Sequence, residues 1–341
     1  MPFRAHRCTH RSVEEDLEGT RRQGEAARAA RRALVGRSGR IRKLDLAYLE
    51  DDGTLLTRDG NWLLAAATRR FFGEVAADAF DFVSFFPQTA PDDGAFHLLL
   101  HNATRGIGKP AVDRRASYGG PPRLQSVHLF YPLAALPTNP TERLPANNDS
   151  VLSLIAQEVG HRWGASVRFQ DRAGRLSGDL LGRDRGHWSF FLDTGASALE
   201  GNRWEAIGRY HWSLTPTDGY SPLDQYLMGL RLPEEVQPLR VLRGARDPDG
   251  RSWSASDRPT TGIRLGASVE EIPLAAIVEA EGLRDPEPHP GQLFRHAFVL
   301  LLQRHEGLLA TRLRQLDWIR ASWEAYFFRA TEGRATLSTA L

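Results

Sequence analysis

The sequence predicts an α/β (α+β) domain, in which a sheet packs on one apolar helix and an irregular C-terminal half is closed by a long helix. Three observations predict it. Short apolar runs stopped by proline, 81–86 before Pro87 and 124–131 before Pro132, read as buried strands. The stretch 150–169 places Val151, Leu152, Leu154, Ile155 and Val159 at helical spacing. Near the end, 308–330 carries Leu313, Leu316, Ile319, Trp323, Tyr326 and Phe327 on one stripe.

A chain of 341 residues can bury a large core, as one domain or two. A formal net charge of +2 gives no footprint for nucleic acid, and none is expected as a partner. Lys43 and Lys109 are the only lysines, an arginine bias that reads as genome composition rather than binding. The single cysteine, Cys8, excludes an intrachain disulfide and a cysteine-based zinc knuckle. No apolar run approaches the roughly 20 residues of a membrane span. The first residues lack the apolar core of a secretory signal, so the chain reads as cytoplasmic, or as extracytoplasmic if its true N-terminus is missing.

Taken in order, 1–43 is an Arg-rich, poorly apolar arm, with a solvated helix expected over 14–34. The folded domain is expected over 44–341, an upper part over 44–168 and a lower part over 169–341. Residues 44–57 read as strand, turn and strand, with Asp52-Gly53 as the turn, and 61–72 as a helix. Strands follow at 81–86, 96–101 and 124–131. The glycine turn in HNATRGIGKP lacks the lysine-threonine pair and the strand–loop–helix setting of a phosphate loop. Residues 170–222 are rich in Gly, Asp, Arg and Trp, with few periodic runs, and read as irregular. A short helix at 220–230, a polar loop at 244–260, a helical segment at 269–280 and a strand at 292–304 precede the closing helix.

The chemistry concentrates in 150–169. Asn147, Asn148 and Asp149 stand ahead of it as N-caps. Inside lies Gln157-Glu158-Val159-Gly160-His161, the zinc-hydrolase pattern H-E-x-x-H with glutamine for the first histidine. Residues four apart share a helix face, so Gln157 and His161 can point at one ion, and Glu158 beside them suits the general base for a metal-activated water. Gln157 alternatively only hydrogen-bonds, since an amide oxygen is a poor zinc donor. A third donor must come from elsewhere. His187 in an aromatic loop is the first choice, Asp224 the alternative, and Glu200 the third. His97, His101, His128 and His211 remain open, and Tyr210, Tyr220 and Tyr226 are candidate oxyanion donors. Trp188, Trp204 and Trp212 could instead form an aromatic binding surface.

The octapeptide from Gln157 to Gly164 resembles the active-site helix of HExxH zinc metallopeptidases, the zincins, and most closely their HExGHxxG form. Metzincins continue that motif to a third ligand, for which this chain has Val167, and they carry a methionine turn, for which Met228 is the match. Further pieces, DFVSFF, RGIG, HWSFFLDTGAS, SPLDQYLMGL and FFRATEGRATLSTAL, resemble bacterial metallopeptidase-like proteins over roughly 44–341. The resemblance implies a zincin-like twisted sheet packed on an active-site helix, bound zinc, and hydrolysis of a peptide or protein substrate. The altered first ligand leaves a non-catalytic binding module as the competing function.

Overall fold

The computed structural model describes residues 38–41, 44–76, 79–91, 94–144 and 149–341. The helix expected over 14–34, and all of the N-terminal arm except 38–41, lie outside them.

Period-two alternation builds the main sheet. All of Phe82–Pro87 is buried, with Phe82 and Phe86 in one apolar cluster and Val83 and Phe85 in another. Gln292–Leu302 divides likewise, sending Phe294, Phe298, Leu300 and Leu302 to the first cluster and Ala297, Val299 and Leu301 to the second. Strands apolar on both faces need cover on both, which favours a parallel centre. Across the sheet the order is Ser38–Ile41, Leu46–Glu50, Gln292–Leu302, Phe82–Pro87, Ser126–Leu129 and Phe96–Leu99. The four inner strands run parallel, and each outer strand is antiparallel to its neighbour. Ala335–Ser338 adds parallel to the first residues of Gln292–Leu302.

Two helices cover the first face: Val151–Gly160, called here the central helix, and Ala310–Ala330, the closing helix. Leu64–Arg70 and the π-turn Phe71–Val75 cover the second through Leu64, Ala67, Phe71 and Val75. The protein is therefore a mixed α/β fold, as its strand and helix patterns indicate. All ten residues of the central helix are buried. Its cap is Ser150, not the residues expected: Ser150 Oγ accepts from Ser153 N (3.1 Å) and Ser153 Oγ accepts from Ser150 N (2.7 Å). Asp149 instead accepts from Thr217 Oγ1, and Asn147 and Asn148 lie outside the described residues.

The C-terminal half departs from the irregular reading. It holds a second sheet, in the order Glu200–Asn202, Trp188–Asp193, Leu239–Arg246, Ile263–Ile272, Tyr210–Ser213 and Trp204–Ile207. The strands within 170–222 are short, and Glu200, Gly201 and Gly244 take left-handed angles inside strands of this sheet, so few runs show a clear period. Phe190, Trp204, Leu242, Ile263 and Leu265 form its own small core. The helical segment expected at 269–280 is the end of Ile263–Ile272 followed by the helix Leu274–Glu281. The second strand expected within 44–57 is absent; Leu56 makes a single bridge to Trp62. Trp188 and Trp204 are core residues rather than an aromatic surface. Among the described residues no helix is long and apolar enough to cross a membrane.

Candidate functional site

Polar side chains collect where the end of the central helix meets the loop before Trp188 and the turn that holds Glu200. Gln157 and Glu158 are buried on the last turn of the helix. His161 keeps helical backbone angles and donates its N–H to Gln157 O, so it stands one turn beyond Gln157 on the same face. Gly160 permits the packing that holds this turn. A Cβ there would lie 2.9 Å from Tyr220 Cε1, and the Tyr220 hydroxyl donates to Ala156 O at 2.8 Å.

His187 reaches the same point from the loop. Its Nδ1 lies 3.1 Å from Arg183 O, so Nδ1 carries the proton and Nε2 keeps its lone pair. Around Nε2 stand Arg183 Nη2 at 2.8 Å and Gln157 Nε2 at 3.1 Å. The rings of His161 and His187 lie 4.8 Å apart, centroid to centroid, and nearly perpendicular. Glu200 Oε1 is 3.8 Å from His187 Nε2 and accepts from Arg183 Nη2 at 2.5 Å, while its Oε2 is buried without a hydrogen bond. Two consecutive left-handed residues, Asp184 and Arg185, shape the turn that returns Arg183 to His187, and Glu200 is itself left-handed.

Burial sets the charge state. It depresses His161 well below the usual histidine range, with His187 and Lys109 adding to the effect. His187 falls to about 4, through burial first and then the Arg183 charge. Glu158 rises to about 8 because burial, with Asp149 and Glu200 nearby, outweighs the opposing pull of Arg183. Burial also raises Glu200, although Arg183 pulls it down. At neutral pH the site thus holds two neutral imidazoles, a protonated Glu158 and one guanidinium in contact with His187 and Glu200. No described residue hydrogen-bonds to the His161 ring or the Glu158 carboxyl.

The cation that these lone pairs hold is the Arg183 guanidinium. Among the described residues no group of three or more His, Cys, Asp or Glu side chains is arranged so that it could hold a metal ion.

The fold brings Gln157, Glu158, His161, His187 and Glu200 together, whereas the carboxylate of Asp224 is engaged by other donors. Its oxygens accept from Trp188 Nε1 (2.7 Å), Ser197 Oγ (2.6 Å) and Ser221 N (2.7 Å), so it caps the helix Pro222–Met228 and fixes the tryptophan next to His187. Tyr220 is not a free oxyanion donor, because its hydroxyl donates to Ala156 O, while the Tyr226 hydroxyl accepts from Arg284 N. Met228 packs in the main core as the last residue of its helix. Sequence reasoning missed Arg183; its place four residues ahead of His187, between glycines, was the available signal.

A row of histidines runs on under the helix. His97 lies 6.3 Å from His161 and 5.4 Å from His128, centroid to centroid. Ser84 Oγ then joins His128 Nδ1 (3.1 Å) to His296 Nε2 (2.6 Å). Burial depresses all three imidazoles, and both ring nitrogens of His97 are buried without a hydrogen bond.

Compared with protein-family models, with curated proteins and with solved structures, the chain matches none.

Proposed function

We propose that the chain is a zinc-dependent peptidase of the zincin type, with Glu158 as general base and His161, His187 and Glu200 holding the ion beside Gln157. One observation carries the reading: the helix motif and a loop histidine 30 residues beyond Gln157 meet at hydrogen-bonding distance, with a carboxylate alongside. Two neutral imidazoles and a carboxylate suit zinc. The unpartnered Glu200 oxygen, and a His187 tautomer fixed by a backbone carbonyl, are what such a ligand set requires. Turning the Gln157 amide over presents its oxygen in place of its nitrogen. Arg183 must withdraw from His187 and Glu200 to admit the ion.

When bound, zinc supplies Lewis acidity, acidifying a water and polarising the scissile carbonyl. Glu158 takes the proton of the attacking water on its carboxylate and passes it to the leaving amine. Burial keeps Glu158 protonated without the ion, and a neighbouring cation favours the carboxylate the base needs.

The sheet edge supports a peptide as substrate. Phe96–Leu99 is the outermost strand on this side, and its His97 ring lies 6.3 Å from His161. An extended peptide can add to such an edge through main-chain hydrogen bonds, bringing its carbonyl toward the imidazoles.

A second reading, a non-catalytic binding module, is favoured by Gln157 and by the guanidinium already seated on His187 and Glu200. Mass spectrometry of an unstructured protein incubated with the zinc-loaded chain separates the two. The peptidase reading expects new termini that chelator suppresses, and a loss of at least about a hundredfold in Glu158→Gln. Zinc-loaded parent that leaves a varied peptide mixture intact, or a Glu158→Gln variant as active as the parent, would overturn it.

A further inference from the structure

We infer that a cavity lined by Arg162 is a binding site for a small organic molecule bearing an oxyanion, a carboxylate or a phosphate. The cavity measures about 560 Å³, and its walls include none of Gln157, Glu158, His161 or His187. The inference stands apart from the metal reading.

Its basis is a buried cation without a counter-charge. Arg162 is 3% exposed. Its Nε donates to Gln125 Oε1 at 3.0 Å and its Nη1 to Asn102 Oδ1 at 3.1 Å, both neutral amides. Nη2 makes no hydrogen bond to any described residue, and the side chain forms no ion pair among them. Both amides are fixed oxygen-first toward it, because Gln125 Nε2 donates to Asp81 (3.0 Å) and Asn102 Nδ2 to Pro110 O (2.9 Å). Trp163, 5.4 Å from the guanidinium carbon, offers its ring face as partial compensation. A second guanidinium, Arg284, lies near enough to help burial lower Arg162 to about 10.

The one carboxylate in the cavity wall is already engaged. Asp81 accepts from Arg123 Nε and Nη2, from Gln125 and from Arg295 N. It balances Arg123 and leaves the charge of Arg162 uncompensated. A buried ion without a partner is destabilising, and an incoming anion offsets that cost. His101 and His289 add ring nitrogens to the wall, and Leu293, Phe294 and Pro122 add apolar surface. That mixture, and a volume in the range of small-molecule sites, calls for an organic anion rather than a bare ion.

The test is thermal unfolding of the full chain in inorganic phosphate, in succinate and in chloride, at matched ionic strength. A saturable rise in Tm with phosphate alone assigns a phosphate group, with succinate alone a carboxylate, and with both the shared oxyanion chemistry. At a hundredfold excess over Kd the unfolding constant falls by about a hundredfold. Arg162→Gln should abolish the rise. His289→Ala, which removes a side chain that makes no hydrogen bond to any described residue, should weaken it several-fold without loss of the fold, and so serves if Arg162→Gln does not fold. No rise beyond chloride in the parent, or an undiminished rise in Arg162→Gln, overturns the inference; if Arg162→Gln does not fold, an undiminished rise in His289→Ala does so.

Discussion

Replacing Glu158 by Gln should change how stability depends on pH in the metal-free protein. Glu158 is 4% exposed, and burial lifts its carboxyl from 4.5 to about 8. The sign follows from the proton balance. Below pH 4.5 folded and unfolded chains both hold the proton, so Glu158 contributes no pH dependence. Between 4.5 and about 8 the unfolded chain releases it while the folded chain retains it, so stability falls as pH rises by about 1.4 kcal/mol per unit. Over the whole window the loss is on the order of 5 kcal/mol, and above it both states are ionised. Glutamine has no proton to release, so Glu158→Gln lacks this slope. Urea unfolding of both proteins with chelator present, at a series of pH values from acid to mildly alkaline, isolates it, because other titrating groups cancel in the difference. The variant should gain on the parent steadily as pH rises. Parallel curves would mean that Glu158 is ionised or solvated in the folded state, and would refute the reasoning.

Removing the guanidinium with Arg183→Met should tighten zinc binding by about tenfold or more in competition with a chromophoric chelator, because His187 Nε2 and Glu200 lose the cation now occupying them; unchanged or weaker binding would clear Arg183 of that role. Restoring an imidazole with Gln157→His should tighten the same site by at least about tenfold, and no gain would mean that the side chain at 157 does not face the ion. Asp224→Asn should lower stability by about 2–3 kcal/mol in denaturant titration, since a buried carboxylate with three donors becomes a half-matched amide. It should leave zinc stoichiometry unchanged, whereas loss of zinc at native stability would restore Asp224 as a ligand.

The main sheet was legible because its strands are apolar on both faces and end at proline, as in Phe82–Pro87, and because the closing helix carries a long core stripe. The second sheet was not. Its strands are held by pairings distant in sequence, such as Leu239–Arg246 with Ile263–Ile272, and glycines and left-handed residues break their alternation. At the site, Gln157, Glu158 and His161 announced themselves by helical spacing. His187 was reachable as a histidine in an aromatic loop. Arg183 was marked only by its place between glycines four residues ahead of His187, a faint signal in an arginine-rich chain, because its role comes from a turn that only the folded backbone displays. The bonding of Asp224 was hidden for a related reason: a capping carboxylate and a ligating one look alike until their hydrogen-bond donors are seen.

Zinc per chain, measured after loading and desalting of the parent and of His161→Ala, tests the central claim most directly. About one equivalent in the parent and less than about a tenth in the variant is the expected result. A parent that retains less than about a tenth of an equivalent after zinc is supplied would contradict it.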